Sequence, residues 1–206
     1  MNPSPPAAAA AALYQTALDT FSDLLAQAQA AGDPEPTAMT LATLGEGRPH
    51  ARIVLLKGVD ARGFRFYTNY ASAKAGELDA SAWAALCFHW KTLRQGVQVR
   101  VEGRVEKLAA AESDAYFATR PRGSQLGAWA SLQSQPLPDP AQFEARYAQF
   151  EQRFAAGEVA RPPHWGGYLV VPDRIEFWYG AQFRLHERQV YARDAAGIWS
   201  CGMLYP

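Results

Sequence analysis

The stretch TAMTLATLGEGRPHARIVLLKGVDARGFRFYTN, residues 37–69, decides the fold class. Apolar and polar residues alternate in TAMTLATL, HARIVLLK and FRFYTN, and this period of two predicts β-strands. The segments GEGRP and DARG between them contain the glycine and proline typical of tight turns. Because short connections join antiparallel strands, three antiparallel strands that follow one another directly are predicted here.

The rest of the chain adds strands and a few helices. Further strand patterns are AWAALCFHW, GVQVRVEGRVEKL, GGYLVV, RIEFWYG, RLHERQVYAR and IWSCGMLYP, and helical patterns are SAKAGELDA, AAESDAYFATR and PAQFEARYAQFEQRFAAG. A first helix has one apolar face, formed by Leu13, Ala17, Phe21, Leu24, Leu25 and Ala28. Seven or eight strands with helices packed outside predict a mainly β fold, a closed or nearly closed antiparallel barrel. We expect a single domain over residues 13–206 after a flexible N-terminal tail over residues 1–12.

The overall charge argues against partners that are attracted by a strong electrostatic field around the protein. Twenty basic and twenty acidic residues give a formal net charge of zero, so neither nucleic acid nor an anionic membrane is an expected partner. No stretch has the length and apolarity of a membrane span or a signal peptide. Two distant cysteines and histidines without metal-ligand spacing predict a cytoplasmic protein with no metal.

One segment predicts a local site for an anion. In YFATRPRGSQLGAWAS, residues 116–131, Tyr116 and Arg120 are four residues apart on a predicted helix, Pro121 ends that helix, and Ser124 is placed to cap the next. A phenol, a guanidinium, a hydroxyl and free amides suit a phosphate monoester. The alternative is a surface helix-turn-helix with solvent-facing arginines.

Two weaker anion-site patterns precede it. In YTNYASAK a strand runs into a helix whose predicted cap is Ser72 and whose first turn contains Lys74, and helix N-termini attract anions. In RIVLLK, Arg52 and Lys57 flank four apolar residues and, by strand parity, lie on opposite faces. An ordinary helix cap and an ordinary core strand are the alternatives.

A further cluster lies in FWYGAQFRLHER, residues 177–188. Arg184, His186 and Arg188 alternate, so a strand would place them on one face. Three such groups repel one another unless an anion or carboxylates lie among them. The pattern therefore predicts a functional site.

Together these segments resemble a known family. RIVLLK, FYTN, SxKAxEL, QVRVEGRVEKL, YFxxRPRxSQxGAWASxQS, IEFWxG and RLHER, in this order over about residues 33–200, resemble the pyridoxine (pyridoxamine) 5′-phosphate oxidases. The resemblance implies an FMN-binding split β-barrel and a homodimer with FMN at two sites between the subunits. It also implies oxidation of pyridoxamine 5′-phosphate and pyridoxine 5′-phosphate to pyridoxal 5′-phosphate, with O2 as electron acceptor and H2O2 as product.

The resemblance also implies roles for individual residues. The expected FMN contacts are Arg52, Ile53, Val54, Leu55, Leu56, Lys57, Tyr67, Thr68, Lys74, Gln98, Gln133, Ser134, Trp178 and Arg188. The expected contacts to the substrate phosphate are Lys57, Tyr116, Arg120 and Ser124. Arg184 and His186 are expected to hold the pyridine ring against the flavin and are the candidate catalytic residues.

The sequence departs from the family pattern in several places. Ala73 stands where the family usually has an arginine beside the lysine, so one phosphate contact is expected to be missing. KTLRQGV is two residues longer than the common spacing, and strand parity favours Gln98 rather than Gln95 as the flavin contact. The C-terminus CGMLYP lacks the usual arginine, and no arginine precedes Arg48.

Two other functions are compatible with the sequence. The departures are compatible with a non-catalytic FMN- or pyridoxal-phosphate-binding protein that has the same barrel. A small barrel that binds single-stranded nucleic acid through aromatic residues and arginines is the third candidate, and the zero net charge argues against it.

Overall fold

A single antiparallel sheet forms the body of the protein in the computed structural model, which describes residues 7–206, with side chains from residue 11 onward. Over these residues the nine strands are β1 (Ala38–Gly45), β2 (Arg48–Leu55), β3 (Gly58–Asp60), β4 (Gly63–Asn69), β5 (Trp83–Trp90), β6 (Val97–Lys107), β7 (Trp165–Tyr179), β8 (Glu187–Arg193) and β9 (Trp199–Leu204). The helices are α1 (Ala7–Ala30), α2 (Ala73–Ala80), α3 (Ala110–Ala118), α4 (Arg122–Ala130) and α5 (Pro140–Arg153). The predicted mainly β fold with peripheral helices is confirmed.

The strand order shows where the sheet divides. The order is β2-β1-β5-β6-β7-β4-β3, and β8 pairs with β7 while β9 pairs with β8. One side of β7 pairs with β6 along its length, whereas the other side pairs with β4 over residues 165–170 and with β8 over residues 174–179. β7 is therefore the strand at which the sheet branches.

The three strands of residues 37–69 do not form one meander. β2 pairs with β1, but β4 lies at the other end of the sheet between β7 and β3. The chain crosses at Leu56 and Lys57: the Leu56 N–H donates to Thr37 O at 2.9 Å, and the Lys57 N–H donates to Arg65 O at 2.8 Å. Because consecutive N–H groups of an extended chain point in opposite directions, this crossing brings both ends of the sheet together without closing it.

The first hairpin is tighter than GEGRP suggests. Glu46 and Gly47 alone form the turn, with φ angles of 52° and 72°, which are the positive values of a two-residue type I′ turn. Pro49 already belongs to β2, where it faces Leu44. Since β2 is an edge strand, the proline removes no hydrogen bond that the sheet needs.

Helix α1 covers the core along the predicted apolar face. Phe21 is fully buried and contacts Phe64, Phe88 and Trp90, with ring centroids 4.8, 4.9 and 5.7 Å away. The helix begins at Ala7, not after a tail that reaches residue 12, because the alanine run is a strong helix former. The predicted tail over residues 1–6 lies outside the described residues. No helix in the described part of the chain is long and apolar enough to span a bilayer.

A second apolar cluster joins α3, α4 and α5 to the start of β7. Phe117, Leu126, Ala128, Val159 and Trp165 form its buried centre. These helices cover one end of β4, and the loop after α4 returns to the start of α2, where Ala73 N–H donates to Ser134 Oγ at 3.2 Å. This hydrogen bond links the loop that follows the second cluster to α2.

The β6 backbone passes so close to β7 at residue 103 that only glycine is expected to fit there. The register of β6 shifts between Glu102 and Gly103, and a Cβ at residue 103 would collide with the carbonyl oxygen of Val171. We expect Gly103→Ala to lower the free energy of unfolding by about 2 kcal/mol because backbone atoms must move. Gly76→Ala is the control: its Cβ meets no atom within 4 Å, and alanine should stabilise the α2 interior by about 0.5 to 1 kcal/mol. Urea unfolding measures both, and equal midpoints would contradict the prediction.

Candidate active site

A large cavity lies where the chain crosses between the ends of the sheet. Its volume is about 520 Å³. It is lined by Arg52, Ile53, Val54, Leu55, Lys57, Tyr67, Thr68, Ala73, Lys74, Gln133 and Ser134. All of these except Ala73 are residues for which the resemblance implies FMN contact. We call this the first cavity.

The parity prediction for RIVLLK is wrong. β2 ends at Leu55, so Lys57 lies beyond the strand, and both Arg52 and Lys57 line the first cavity. The side chain of Leu56 is only 4% exposed and packs in the core, although its neighbours face the cavity. Side chains alternate between two faces only within a strand. Because β2 ends at Leu55, two residues before Lys57, parity does not apply to Lys57.

Lys74 is a buried cation on the wall of the first cavity. The residue is 8% exposed, and its Nζ donates to Thr68 Oγ1 and Ser72 Oγ, each at 3.2 Å. Burial lowers the pKa of Lys74, and the neighbouring charge of Arg52 lowers it further. An anion in the cavity would oppose both effects, so Lys74 suits a negatively charged ligand.

Ser72 does not cap α2 with its side chain. Its hydroxyl donates to Asn69 O at 2.7 Å and also accepts from Lys74. The first N–H group of the helix, that of Ala73, instead donates to Ser134 Oγ. A contact between distant segments thus replaces the predicted local cap.

Arg52 is held by a carboxylate that the sequence reasoning missed. Its Nη2 donates to Glu77 Oε2 at 2.8 Å, and its Nη1 donates to the Thr43 hydroxyl. Glu77 also accepts from the Thr43 hydroxyl and lies 2.6 Å from His50 Nδ1. Burial alone would raise the pKa of Glu77, but these hydrogen bonds lower it to about 2, so the carboxylate is ionised. The available signal was the glutamate of SxKAxEL, three residues after Lys74.

A second cavity adjoins the first. It has a volume of about 380 Å³ and is lined by Tyr67, Thr68, Asn69, Arg120, Ser124, Gly127, Ala128, Ser131, Gln133 and Trp165. Tyr67, Thr68 and Gln133 line both cavities, and the Thr68 hydroxyl donates to Gln133 Oε1 at 3.4 Å. The two cavities therefore share a wall. Asn69 and Trp165 were not predicted as site residues, although Asn69 belongs to FYTN.

Arg120 brings an incompletely paired guanidinium to the second cavity. Its Cζ lies 4.7 Å from the ring centroid of Trp165 and 5.5 Å from that of Phe117. Its Nη1 is buried and has no hydrogen-bond partner among the described residues. Burial lowers the pKa of Arg120, which reflects the cost of desolvating the cation. Since buried donors are nearly always paired, this orphan points to a ligand that accepts hydrogen bonds.

The local reading of the RPRGS segment is partly wrong. α3 ends at Ala118, so Arg120 follows the helix instead of sharing a face with Tyr116. Pro121 is the N-cap of α4, and Ser124 is the third residue of that helix, not its cap. Arg120 and Ser124 nevertheless face one cavity, because the turn at Pro121 brings the two segments together.

Tyr116 and Lys57 do not line the second cavity. Tyr116 stacks on Tyr67 with a centroid distance of 4.0 Å, and Tyr67 stacks on Trp165 at 5.4 Å. Lys57 lies in the first cavity. Of the four predicted contacts to the substrate phosphate, the chain therefore brings only Arg120 and Ser124 together in one cavity.

The remaining predicted FMN contacts form a row across other strands. Gln98 of β6 pairs with Trp178 of β7, which pairs with Arg188 of β8. Val97 and Val99 are buried while Gln98 is partly exposed, so parity places Gln98 away from the core. None of the three residues of this row lines either cavity.

Arg184 and His186 precede β8, so the shared strand face predicted for Arg184, His186 and Arg188 is wrong. Arg184 ends a short 3₁₀ turn (Gln182–Arg184) with a φ of 61°, after Phe183 with a φ of 57°. The His186 ring lies 4.5 Å from that of Trp178, and its Nδ1 accepts from the Ala181 N–H at 3.1 Å. The turn, not strand alternation, places His186 beside Trp178.

Arg188 has a carboxylate partner on the neighbouring strand. Its Nε and Nη2 donate to Glu176 Oε1 at 2.9 and 2.7 Å, and Glu176 is only 2% exposed. Burial would raise the pKa of Glu176, but hydrogen bonds from Arg188 and Arg174 lower it. The carboxylate expected among the cations is thus Glu176, which sequence spacing did not reveal.

The orphaned N–H of Arg120 predicts stabilisation by an oxyanion. We expect inorganic phosphate to raise the free energy of unfolding of the wild type, and Arg120→Met to lose about half of that gain because the first cavity still binds the ion. Without phosphate the variant should stay within about 1 kcal/mol of the wild type, since it no longer buries an unmatched charge.

Arg104→Met is the control for this prediction, because Arg104 is exposed and stacks on Trp83 at 4.7 Å, outside both cavities. Thermal unfolding at constant ionic strength measures the effect. An undiminished response to phosphate in Arg120→Met would contradict the assignment.

The chain is similar to oxidases from several bacteria. A pyridoxine/pyridoxamine 5′-phosphate oxidase of Myxococcus xanthus (strain DK1622) is 56% identical over 190 residues, 92% of this chain and 91% of that protein. A protein of the same name from Xanthomonas euvesicatoria pv. vesicatoria (strain 85-10) is 57% identical over 196 residues, 94% of this chain and 98% of that protein.

Solved structures share the architecture. PhzG from Burkholderia lata 383, in complex with tetrahydrophenazine-1-carboxylic acid, superposes with a TM-score of 0.84 and is 31% identical, covering 91% of each chain. A pyridoxamine 5′-phosphate oxidase-related, FMN binding protein from Nostoc punctiforme PCC 73102 has a TM-score of 0.71 at 19% identity, covering 90% of this chain and 97% of that one. The latter likeness concerns the fold, an FMN-binding split barrel.

Family models cover most of the sequence. The model described as Pyridoxamine 5′-phosphate oxidase matches residues 25–154, and the one described as Pyridoxine 5′-phosphate oxidase C-terminal dimerisation region matches residues 165–206. The first match includes every residue that lines the first cavity. From these matches, and from the order of its motifs, the chain belongs to the pyridoxamine 5′-phosphate oxidase family.

Proposed function

We propose that this protein is an FMN-dependent oxidase that converts pyridoxamine 5′-phosphate and pyridoxine 5′-phosphate to pyridoxal 5′-phosphate, with O2 as electron acceptor and H2O2 as product. The observation that carries the proposal is the pair of adjoining cavities, one with the buried ammonium of Lys74 and the other with Arg120, whose Nη1 is buried and unpaired. Lys74 and Arg120 make no ion pair with a carboxylate of the described residues. FMN and the substrate each end in a phosphate monoester, so the reaction needs two such cavities.

The first cavity fits the cofactor. Its donors are the ammonium groups of Lys57 and Lys74, the guanidinium of Arg52 and the hydroxyls of Thr68 and Ser134. The apolar side chains of Ile53, Val54 and Leu55 lie beside these donors. A flavin mononucleotide combines an anionic end with a flat aromatic ring, and this mixture of donors and apolar surface suits both parts. We assign FMN to the first cavity.

The second cavity suits the phosphate of the substrate. Arg120 offers its unpaired N–H and Ser124 its hydroxyl. The stacked rings of Tyr67, Tyr116 and Trp165 hold one wall rigid. The shared wall of Tyr67, Thr68 and Gln133 would keep cofactor and substrate adjacent.

The protein is a homodimer of the family type, with the dimerisation region at residues 165–206. We propose that FMN binds between the subunits, so that Gln98, Trp178 and Arg188 reach the first cavity of the partner. Exposed apolar side chains support this: Ile53 beside the first cavity is 65% exposed, and Leu185 and Met203 near the row are 71% and 60% exposed. Such groups are normally covered at an interface.

The chemistry requires orientation more than acid or base strength. The protein itself has no group that accepts two electrons. FMN, when bound, would accept them from the exocyclic C4′ of the substrate. Arg184 and His186 are proposed to hold the pyridine ring. Because His186 Nδ1 accepts from the Ala181 N–H, the neutral ring has its proton on Nε2 and can donate it to an oxygen of the substrate. Holding the reacting groups in this way lowers the entropic part of the barrier.

The visible spectrum tests the proposed function directly. We expect the FMN-loaded protein to lose its flavin absorption when pyridoxamine 5′-phosphate is added without oxygen, and to regain it with release of H2O2 when air is admitted. Pyridoxamine without the phosphate is the control, because it has no phosphate group for Arg120 to bind. A protein that binds FMN but keeps its absorption would instead be the non-catalytic binding protein.

Ala73 predicts weaker FMN binding than an arginine would give. Ala73 lines the first cavity beside Lys74, so a longer cationic side chain there can reach a phosphate. We expect Ala73→Arg to tighten FMN binding about tenfold, the effect of one added charged hydrogen bond. Gly76→Arg, which adds the same charge to α2 at a site that lines neither cavity, is the control. Flavin fluorescence titration measures both, and equal affinities would contradict the prediction.

A further inference from the structure

Glu77 connects two walls of the first cavity. It lies on α2, one turn after Ala73 and Lys74, and its carboxylate contacts three residues of β1 and β2: Thr43, His50 and Arg52. The side chain is 10% exposed. A buried, ionised carboxylate is costly unless it is well paired, and here every contact it makes fixes the position of α2 relative to the strands.

The packing around this carboxylate is too tight to be incidental. A Cβ at Gly45 would lie 2.8 Å from Glu77 Cγ and 3.2 Å from the His50 ring, so a side chain at Gly45 would displace the pair. Thr43, which lies between Arg52 and Glu77, is only 4% exposed. The strand therefore has a glycine and a small hydroxyl residue at the places where the network needs room.

The network occupies one part of the Arg52 guanidinium and leaves another part available. Nη1 donates to Thr43 Oγ1 and, at longer distances, to Leu41 O and His50 O, and one N–H of Nη2 donates to Glu77. Within residues 11–206, the Nε–H and the second N–H of Nη2 have no hydrogen-bond partner. Nε and Nη2 form one edge of the guanidinium, the edge that can bind two oxygens of one phosphate.

We propose that Glu77 is a positioning residue for the flavin phosphate, which acts through Arg52 by holding the Nε and Nη2 edge toward the first cavity. The inference rests on the proposed function, because it takes FMN as the ligand of that cavity. Ala73 makes the role more important in this chain, since α2 has no arginine beside Lys74. Among the described residues of one chain, Arg52 is the only arginine that lines the cavity. Glu77 itself touches no ligand.

Positioning and charge predict opposite effects of removing Glu77. Glutamine at residue 77 keeps the shape but loses the negative charge, so by charge alone it would strengthen the binding of an anion. If positioning dominates, the loosened Arg52 side chain loses more affinity than the charge change adds. The sign of the effect on FMN affinity therefore decides between the two.

The experiment compares FMN with riboflavin, which lacks the phosphate. We expect Glu77→Gln to weaken FMN about tenfold, equivalent to the loss of one charged hydrogen bond, and riboflavin less than about twofold. Asp79→Asn is the matched control: it lies on the same helix, is 49% exposed and pairs with Lys107 at 3.0 Å. It should change neither affinity. Fluorescence titration at constant ionic strength gives all of these values.

A double-mutant cycle tests whether Glu77 acts through Arg52. In an Arg52→Ala background, Glu77→Gln should change FMN affinity less than about twofold, because the group that it positions is gone. Unchanged or tighter FMN binding by Glu77→Gln, an equal loss for FMN and riboflavin, or additive effects of the two substitutions would each overturn the proposal. If Glu77→Gln does not fold, Thr43→Val, which removes the bridging hydroxyl without changing charge, replaces it in the same cycle.

The failure of this inference is distinct from failure of the proposed function. A wild-type protein that binds no FMN would reject the function and the inference together. A wild type that binds FMN and oxidises its substrate, with Glu77→Gln indistinguishable from Asp79→Asn, would reject the inference alone.

Discussion

The hydrogen bonds at Leu56 and Lys57 are the constraint on which the rest of the structure depends. Two consecutive N–H groups are satisfied at opposite ends of the sheet, by Thr37 O and Arg65 O. Backbone N–H groups of a folded chain are nearly always paired, and here the pairing holds the end of β2 close to β4 although the two strands do not pair with each other. The first cavity occupies the resulting gap, and Arg52 and Lys57 face it for that reason.

The cations around this gap fall into two kinds. Arg52 and Arg188 are each tied to a largely buried glutamate, Glu77 and Glu176, which fixes their geometry. Lys74, which is buried, and Arg120, whose Nη1 is buried, have no such partner among the described residues. A paired cation can be placed accurately, whereas an unpaired one gains most from an incoming anion. The two kinds of cation suit a site that must both orient and attract two phosphate esters.

A single chain holds only part of the machinery that we propose. Gln98, Trp178 and Arg188 lie in one row across β6, β7 and β8, and none of them lines the first cavity. β7 contributes to both regions, because its first part pairs with β4 and its last part with β8. The branch in β7 thus separates the two half-sites within one subunit, and a two-fold partner offers the way to join them.

The sequence by itself determined the period of the strands and the apolar face of α1, and its motifs include ten of the eleven residues that line the first cavity, which the family resemblance implies as FMN contacts. These are local patterns, or motifs with a fixed order, and they hold wherever the backbone stays regular. The expectations that depended on regularity beyond an element were wrong: Lys57 lies past the end of β2, Arg184 and His186 lie before β8, and the hydroxyls of Ser72 and Ser124 do not cap helices.

Only the tertiary structure decided the order of the strands and the carboxylates that hold Arg52 and Arg188. Glu77 is 25 residues from Arg52, and Glu176 is 12 residues from Arg188. No local pattern favours these pairs over others, because a charged side chain selects its partner by distance and burial after the sheet has formed.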